Sequence, residues 1–307
     1  MNRAAALACA FALLAAMATA AASRKQASAA TFFADRDERL VAEQLATLPR
    51  QQPGVVDLYA IGVAGDGSQD VFRNEADYFA ILMSQRFHAR GVLTLVSHPD
   101  SLGTKPKPLA TYDNLHDAVR GVAKRMNRRE DILLLYLTMH GTPEHELALF
   151  FPPLVNDLLT PDDLAHVLDR AGIRNRVIVM SACYSGGFIR RLRGDGTLLM
   201  TAARSDRPSF GCGDDSTATF FGRAWLAEGL NRSTDFVEAF RHAEGRIQHW
   251  ERAKEYEASH PQLSQGARIK AKLADWQADL QAGAPVAYPW PLDEADEADG
   301  ATKTAPP

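Results

Sequence analysis

Hydrophobic positions along the chain alternate between two periods. Five short apolar runs, "VVDLYAIGV" (55–63), "VLTLVSH" (92–98), "DILLLYLTM" (131–139), "RVIVMSA" (176–182) and "TLLMTAA" (197–203), are rich in branched side chains and bounded by Gly, Pro, Asp or Ser. Such runs predict buried strands. Between them lie stretches with apolar residues every three or four positions, at 74–90, 111–127 and 160–172. Leu115, Val119, Val122 and Met126 share one face of the second stretch, as an amphipathic helix requires. The third opens with Thr160 as N-cap and Pro161 in the first turn, and closes on Gly172. Two further helices are expected near 217–229 and 235–256. Strands alternating with helices give an α/β fold with a mostly parallel sheet and helices on both faces. The run at 131–139 is apolar almost throughout and belongs at the centre of that sheet.

The two ends depart from this pattern. Residues 1–22 combine Arg3, the apolar "AAALACAFALLAAMA" and the small-residue stretch "ATAAAS", which reads as a secretory signal and predicts a secreted or periplasmic protein with no stable membrane span. Residues 23–52 contain "DERLVAEQLATL", an amphipathic N-terminal helical extension. The core domain is expected over 53–282. The segment 283–307, rich in Pro, Ala and acidic residues, is expected to be a disordered tail. Composition is that of a globular protein, 46% hydrophobic and 23% charged over 307 residues. The net charge of −4 provides no broad basic field, so nucleic acid is not an expected partner. The sequence does not fix the oligomeric state.

In parallel sheets, chemistry collects at the carboxyl ends of the strands. The third run ends in Thr138, Met139, His140 and Gly141, and the fourth in "SACYSGG", which carries Cys183. A hairpin and one helical crossover fill the interval between them. If the two strands are neighbours, an imidazole and a thiol leave the same sheet edge. A Cys–His pair has a defined use: the imidazole takes the thiol proton and later protonates the leaving amine. The N–H groups of Gly141 and Cys183 would then form an oxyanion hole. A lone buried Cys or His is usually a packing residue, but both at the ends of successive strands are harder to explain that way. The other candidates fail on spacing. "HGTPEHE" offers His140, His145 and Glu146 with no second cluster to complete a metal site. "GVAGDG" lacks the dinucleotide spacing, and Ser185 is not in a nucleophile elbow. No metal or cofactor is therefore expected.

These residues resemble the legumain-like cysteine peptidases, the group of asparaginyl endopeptidases and the glycosylphosphatidylinositol transamidase subunit. "HG" after one apolar strand and "ACYSG" after the next carry the resemblance. So do "VFRNEAD" (71–77), "TAARSDRPSFGC" (201–212) and "HPQLSQG" (260–266), in the same order, over roughly 53–265. The resemblance implies a caspase-like fold, His140 and Cys183 as the catalytic pair, and Arg73 in the pocket for the residue before the scissile bond. Four positions depart from the family pattern. Met139 replaces an Asp before His-Gly. Val71 stands where legumains have an Asn thought to orient the His. Ser181 replaces a Glu two residues before the Cys, and Arg223 replaces a later Asp. Ser181 and Arg223 are thus further expected substrate-binding residues.

Without the acidic partners at 181 and 223, Arg73 would be unpaired and would favour a carboxylate ligand. Asp206, Asp214 and Asp215 are the residues that could neutralise it instead. "RRLRGDG" (190–196), in the interval often cut in caspase-like enzymes, reads as a processing site or a solvated basic turn. The function implied is a cysteine endopeptidase acting on protein or peptide substrates after Asp or Asn through an acyl-enzyme. The alternatives are a caspase-like peptide-binding scaffold without turnover and a transamidase or peptide ligase.

Overall fold

The computed structural model describes residues 31–213 and 215–292. Helix α1 (31–47) precedes the core. The core continues with β1 (Leu58–Ala64), α2 (Asp70–Gln85), β2 (Gly91–Val96), α3 (Tyr112–Arg125) and β3 (Ile132–Thr138). A hairpin, β4 (Leu147–Phe151) and β5 (Val155–Leu159), leads to α4 (Pro161–Ala171) and β6 (Asn175–Ser181). Next come α5 (Ile189–Leu192) and β7 (Thr197–Thr201), then a π-helical stretch (Gly222–Gly229) that runs into α6 (Leu230–Arg232). The order closes with α7 (Phe236–Ala253), β8 (Gln262–Gln265) and α8 (Ala267–Asp279). The main sheet has the order β2-β1-β3-β6-β7-β8. Neighbours from β2 to β7 are parallel, and β8 pairs antiparallel with β7.

Alternation along each strand builds the two layers. Tyr59, Ile61, Val63, Leu133, Leu135 and Leu137 face the side covered by α1, α3 and α4. Ala60, Leu134, Tyr136, Val177, Val179 and Met200 face α2, the π-helical stretch, α7 and α8. All seven residues of β3 are buried, as its apolar run predicts. The helix at α4 keeps its expected ends: the Thr160 hydroxyl accepts from the Asp163 amide, Asp163 returns the bond, and Gly172 closes it at φ 68°.

Two expectations need correction, and two elements were not expected. The helix expected near 217–229 does not begin at 217, because Thr217 and Thr219 spend their polar groups on neighbouring segments. β8 and α8 were not legible as elements; β8 is a short edge strand of polar residues, "QLSQ", whose identity comes from pairing with β7. The tail expected from Gly283 is not one over its first ten residues. Residues 283–292 form a strap tied to α2 by Arg86 and Tyr78 and to α6 by Asn231. Composition could not reveal those anchors, since each lies far away in sequence. The proposed signal segment and residues 293–307 lie outside the described residues. Among the described residues no helix is long and apolar enough to cross a membrane.

One buried carboxylate ties strand starts together. Asp131 is fully buried and accepts from the amides of Asn127 (2.6 Å) and Asp57 (3.1 Å). Burial, with the charges of Asp57 and Glu130 adding to it, pushes its carboxyl up to about 6 against the opposing hydrogen bonds. A carboxyl raised on folding stabilises most below its unfolded value of about 3.9, and that contribution is lost as pH rises through its folded value. Urea midpoints are therefore expected to carry a downward slope from about pH 4 to 6 on this account, and Asp131→Asn should flatten it.

Candidate active site

Register brings the expected pair together. Thr138 of β3 sits opposite Ser181 of β6. Continuing the same parallel register past both ends arrives at His140 and Cys183. The Met139 amide donates to the Ser181 carbonyl (3.3 Å), carrying the pairing beyond the strands. Gly141 then passes so close to the turn at Cys183 that a Cβ there would lie 2.2 Å from the Cys183 carbonyl oxygen. Only glycine fits. Gly141 also pairs with Leu147 in a bridge whose hydrogen bonds come from the flanking residues, Ala148 to His140 and Thr142 to Glu146 (both 2.9 Å). The amide of Gly141 is therefore not used by that bridge. Among the described residues neither it nor the Cys183 amide donates to a backbone carbonyl.

The turn after Cys183 is sharp. Tyr184 adopts the left-handed conformation at φ 55° and donates its amide to the Arg207 carbonyl (2.9 Å). That docks the 204–212 loop against the thiol. The Ser209 amide donates to Cys183 Sγ (3.2 Å), and the sulfur also lies 3.5 Å from the Ser209 carbonyl oxygen. Cys212, on the same loop, packs against Val71, Phe72 and Ala76. Burial, helped by the neighbouring Cys183, pushes its thiol up to about 11. Both cysteines are free thiols. The His140 ring meets Phe72 edge-on with centroids 5.0 Å apart. Among the described residues no hydrogen bond joins the imidazole to the Cys183 thiol, whose contacts go to Ser209 instead.

Beneath the strand ends lies a buried acid that the sequence reading missed. Glu75 of α2 is completely buried. Its Oε2 accepts from the hydroxyls of Tyr136 (2.8 Å) and Thr138 (2.6 Å), and its Oε1 from the Thr219 amide (2.7 Å). Burial raises its pKa against these bonds. Ser181 Oγ lies 2.8 Å from the Thr219 hydroxyl, so Ser181 belongs to this floor and is only 2% exposed. The available signal was a Glu embedded among Phe72, Ala76 and Phe79 on the buried face of a helix.

The remaining expected site residues are placed differently. Arg73 is not unpaired: Nη1 contacts Asp100 (3.0 Å) and Nη2 contacts Asp70 (3.2 Å). His98 Nδ1 accepts from the Asp100 amide, so Nε2 carries the proton toward Asp70 (2.8 Å). The Asp70 carboxyl is held below its ordinary value, chiefly by that bond. Of the acids expected to neutralise Arg73, Asp206 pairs with Arg204, and Asp214 lies outside the described residues. The correction has a local cause: Asp70 is one helical turn before Arg73, and Asp100 comes from the loop after β2, which the alternating pattern did not connect to α2. Arg223 is a second correction. Its Nε is 3.0 Å from Glu228, its guanidinium lies over the Trp250 ring at 4.6 Å, and it is buried among the helices rather than beside Arg73. Val71 is buried and offers His140 no polar partner, so Phe72 is the side chain that packs the imidazole. The "RRLRGDG" interval is the end of α5 followed by a tight turn at 193–196 into β7, pinned by bonds from Thr197 to Gly194, Arg176 to Gly196 and Ile269 to Asp195.

The sequence profile of the peptidase C13 family matches residues 116–269, half of the chain, including His140 and Cys183. The chain belongs to the peptidase C13 family. As a C13 member it is a cysteine-type peptidase, in line with the legumain-like resemblance. The C13 match does not reach Arg73. A solved structure of caspase-1 from Spodoptera frugiperda is similar over 71% of this chain and 90% of that one, with 13% identity and a TM-score of 0.45. None of the curated proteins matches the chain.

Proposed function

We propose that this peptidase is an endopeptidase in which Cys183 is the nucleophile and His140 the general base and acid. The observation that carries this reading is the shared register: His140 and Cys183 follow the paired Thr138 and Ser181 by equal steps. In the first step His140 takes the thiol proton as sulfur bonds to the substrate carbonyl carbon. The oxyanion so formed accepts from the Gly141 and Cys183 amides. As it collapses, the carbon–nitrogen bond breaks and the imidazolium gives its proton to the leaving amine. Water then attacks the thioester, with His140 again as base, and Cys183 is released as thiol. Hydrogen bonds between base and nucleophile commonly tighten only when substrate binds, and the Ser209 contact to sulfur has to yield for this to happen.

Arg73 is the proposed selector of the residue before the scissile bond. The cavity at Arg73 is also lined by Asp77, Asp100, Lys105 and Lys107, and with Asp70 its three acids and three bases leave it with no net charge. It should prefer neutral Asn to Asp, the reverse of what an unpaired Arg73 implies. A protein or peptide substrate and a secreted or periplasmic location complete the proposal.

The test is turnover of matched fluorogenic peptides by the wild type, Cys183→Ala and His140→Ala. Expected are loss of turnover in both variants and faster cleavage after Asn than after Asp. Faster cleavage after Asp would reject the charge argument. The engagement of Cys183 with Ser209 favours a second reading, a peptide-binding scaffold of low turnover. Binding of the peptides without cleavage by the wild type would select it.

A further inference from the structure

We propose that the C-terminal strap, residues 283–292, is part of the substrate-binding face and that Trp290 is a specificity-determining wall beside Arg73. The inference rests on the reading of Arg73 as the selector.

The sequence of the strap, "GAPVAYPWPL", has neither helical nor strand periodicity, and its prolines remove amide donors. Nothing local holds it in place. Its order comes from side chains elsewhere. Arg86, at the end of α2, donates from Nη1 to the Gly283 carbonyl (2.8 Å), and the Gly283 amide returns a bond to the Arg86 carbonyl (2.8 Å). Asn231 holds both polar groups of Val286: its Oδ1 accepts from the Val286 amide and its Nδ2 donates to the Val286 carbonyl (both 2.8 Å). Tyr78 donates to that same carbonyl (2.6 Å). The strap thus runs along α2 from its last residues toward its first.

A ladder of rings carries it to the pocket. Tyr78 meets Tyr288 edge-on at 4.9 Å, Tyr288 meets Trp290 at 5.3 Å, and the Arg73 guanidinium lies 5.9 Å from the Trp290 ring centroid. Arg73 is therefore enclosed by Asp70 and Asp100 at its two terminal nitrogens and by an indole nearby, while its buried Nε has no hydrogen-bond partner among the described residues. A substrate side chain that reaches this guanidinium comes beside the indole. The face of an aromatic ring admits an amide-bearing side chain and resists a hydrated carboxylate, because the face itself offers no donor to replace the lost water.

The strap is also linked to the nucleophile. Tyr288 donates to the Thr217 carbonyl (2.7 Å), Asn74 donates to the same oxygen (3.1 Å), and the Thr217 hydroxyl bonds the Pro291 carbonyl. Thr217 ends the loop whose Ser209 contacts the Cys183 sulfur. Strap, loop and the first turn of α2 therefore form one connected rim around the site.

The experiment measures kcat and KM of the full chain for matched peptides with Asn, Asp or Ala before the scissile bond. The variants are Trp290→Ala, Trp290→Phe and Arg73→Ala, with active enzyme counted by alkylation of Cys183 read by peptide mass spectrometry, which separates it from the second free thiol, Cys212. Trp290→Ala is expected to raise KM for the Asn peptide roughly tenfold, to leave kcat within about threefold, and to narrow the ranking of the peptides. Trp290→Phe should recover most of the loss. An unchanged ranking in Trp290→Ala alongside an altered one in Arg73→Ala overturns the wall while keeping Arg73. A uniform rise of kcat/KM for every peptide in Trp290→Ala overturns it too, because the strap would then be an obstruction. An unchanged ranking in Arg73→Ala rejects the selector reading itself. If Trp290→Ala does not fold, the ranking in Trp290→Phe decides: unchanged overturns the wall, narrowed supports it.

Discussion

Gly141→Ala is expected to lower kcat/KM by at least about 100-fold while leaving the fold intact. The added methyl would lie 2.2 Å from the Cys183 carbonyl oxygen, an atom of the backbone that cannot swing aside as a side chain tip would. Either the His140–Gly141 segment or the turn at Cys183 must retreat, by an amount comparable to the overlap. Both proposed oxyanion donors are on those two segments. Displacing donors from the position of the developing charge forfeits stabilisation that acts mainly in the transition state, so kcat should fall more than KM rises. Bridge bonds from Ala148 and Thr142 are made by neighbouring residues, and they keep the segment folded in the variant. The check is kcat and KM beside a thermal melt. Activity within threefold of wild type would remove Gly141 from the site.

The second large effect concerns stability. A Cβ on Gly222 would lie 2.0 Å from Glu75 Oε1. Glu75 is the tip of a flexible side chain, but it is fixed by Tyr136, Thr138 and the Thr219 amide and has no free space to enter. Gly222→Ala must push the carboxylate off these donors or widen the contact between α2 and the π-helical stretch. Overpacking of a buried site costs about 1–3 kcal/mol, and donors left without a partner add about 1–3 kcal/mol each. We expect a loss of about 3 kcal/mol and a melting temperature lower by roughly 5–12 °C. The cost should shrink in a Glu75→Ala background, since the clash is then gone; a double-mutant cycle measures that coupling. Because Thr138 and Ser181 belong to the same network, Gly222→Ala should also slow turnover.

Local spacing of apolar residues specifies the layered sheet and the strand ends at which the proposed catalytic pair lies. Period two and period three to four are properties of the local backbone, so five of the six strands of the main sheet and the amphipathic helices could be read from the spacing of apolar residues. Strand ends could be read as well, which is why His140, Gly141 and Cys183 stood out before any contact was known. Tertiary structure decided what those residues face. Arg73 looked unpaired because its partner Asp100 is contributed by the loop after β2, and Asp70 pairs with it only once α2 forms and brings the two onto one face. Arg223 looked like a pocket residue until Glu228 and Trp250 claimed it. Glu75 carried no motif, and its role depends on hydroxyls from β3 and an amide from the segment before the π-helical stretch. The strap looked unstructured because its own residues cannot fix one another; Arg86, Tyr78 and Asn231 do so across the fold. Hydrophobic periodicity is additive along the chain and survives in the sequence. Pairing of charges and satisfaction of buried polar groups depend on distance in space, and that is set only when the layers close.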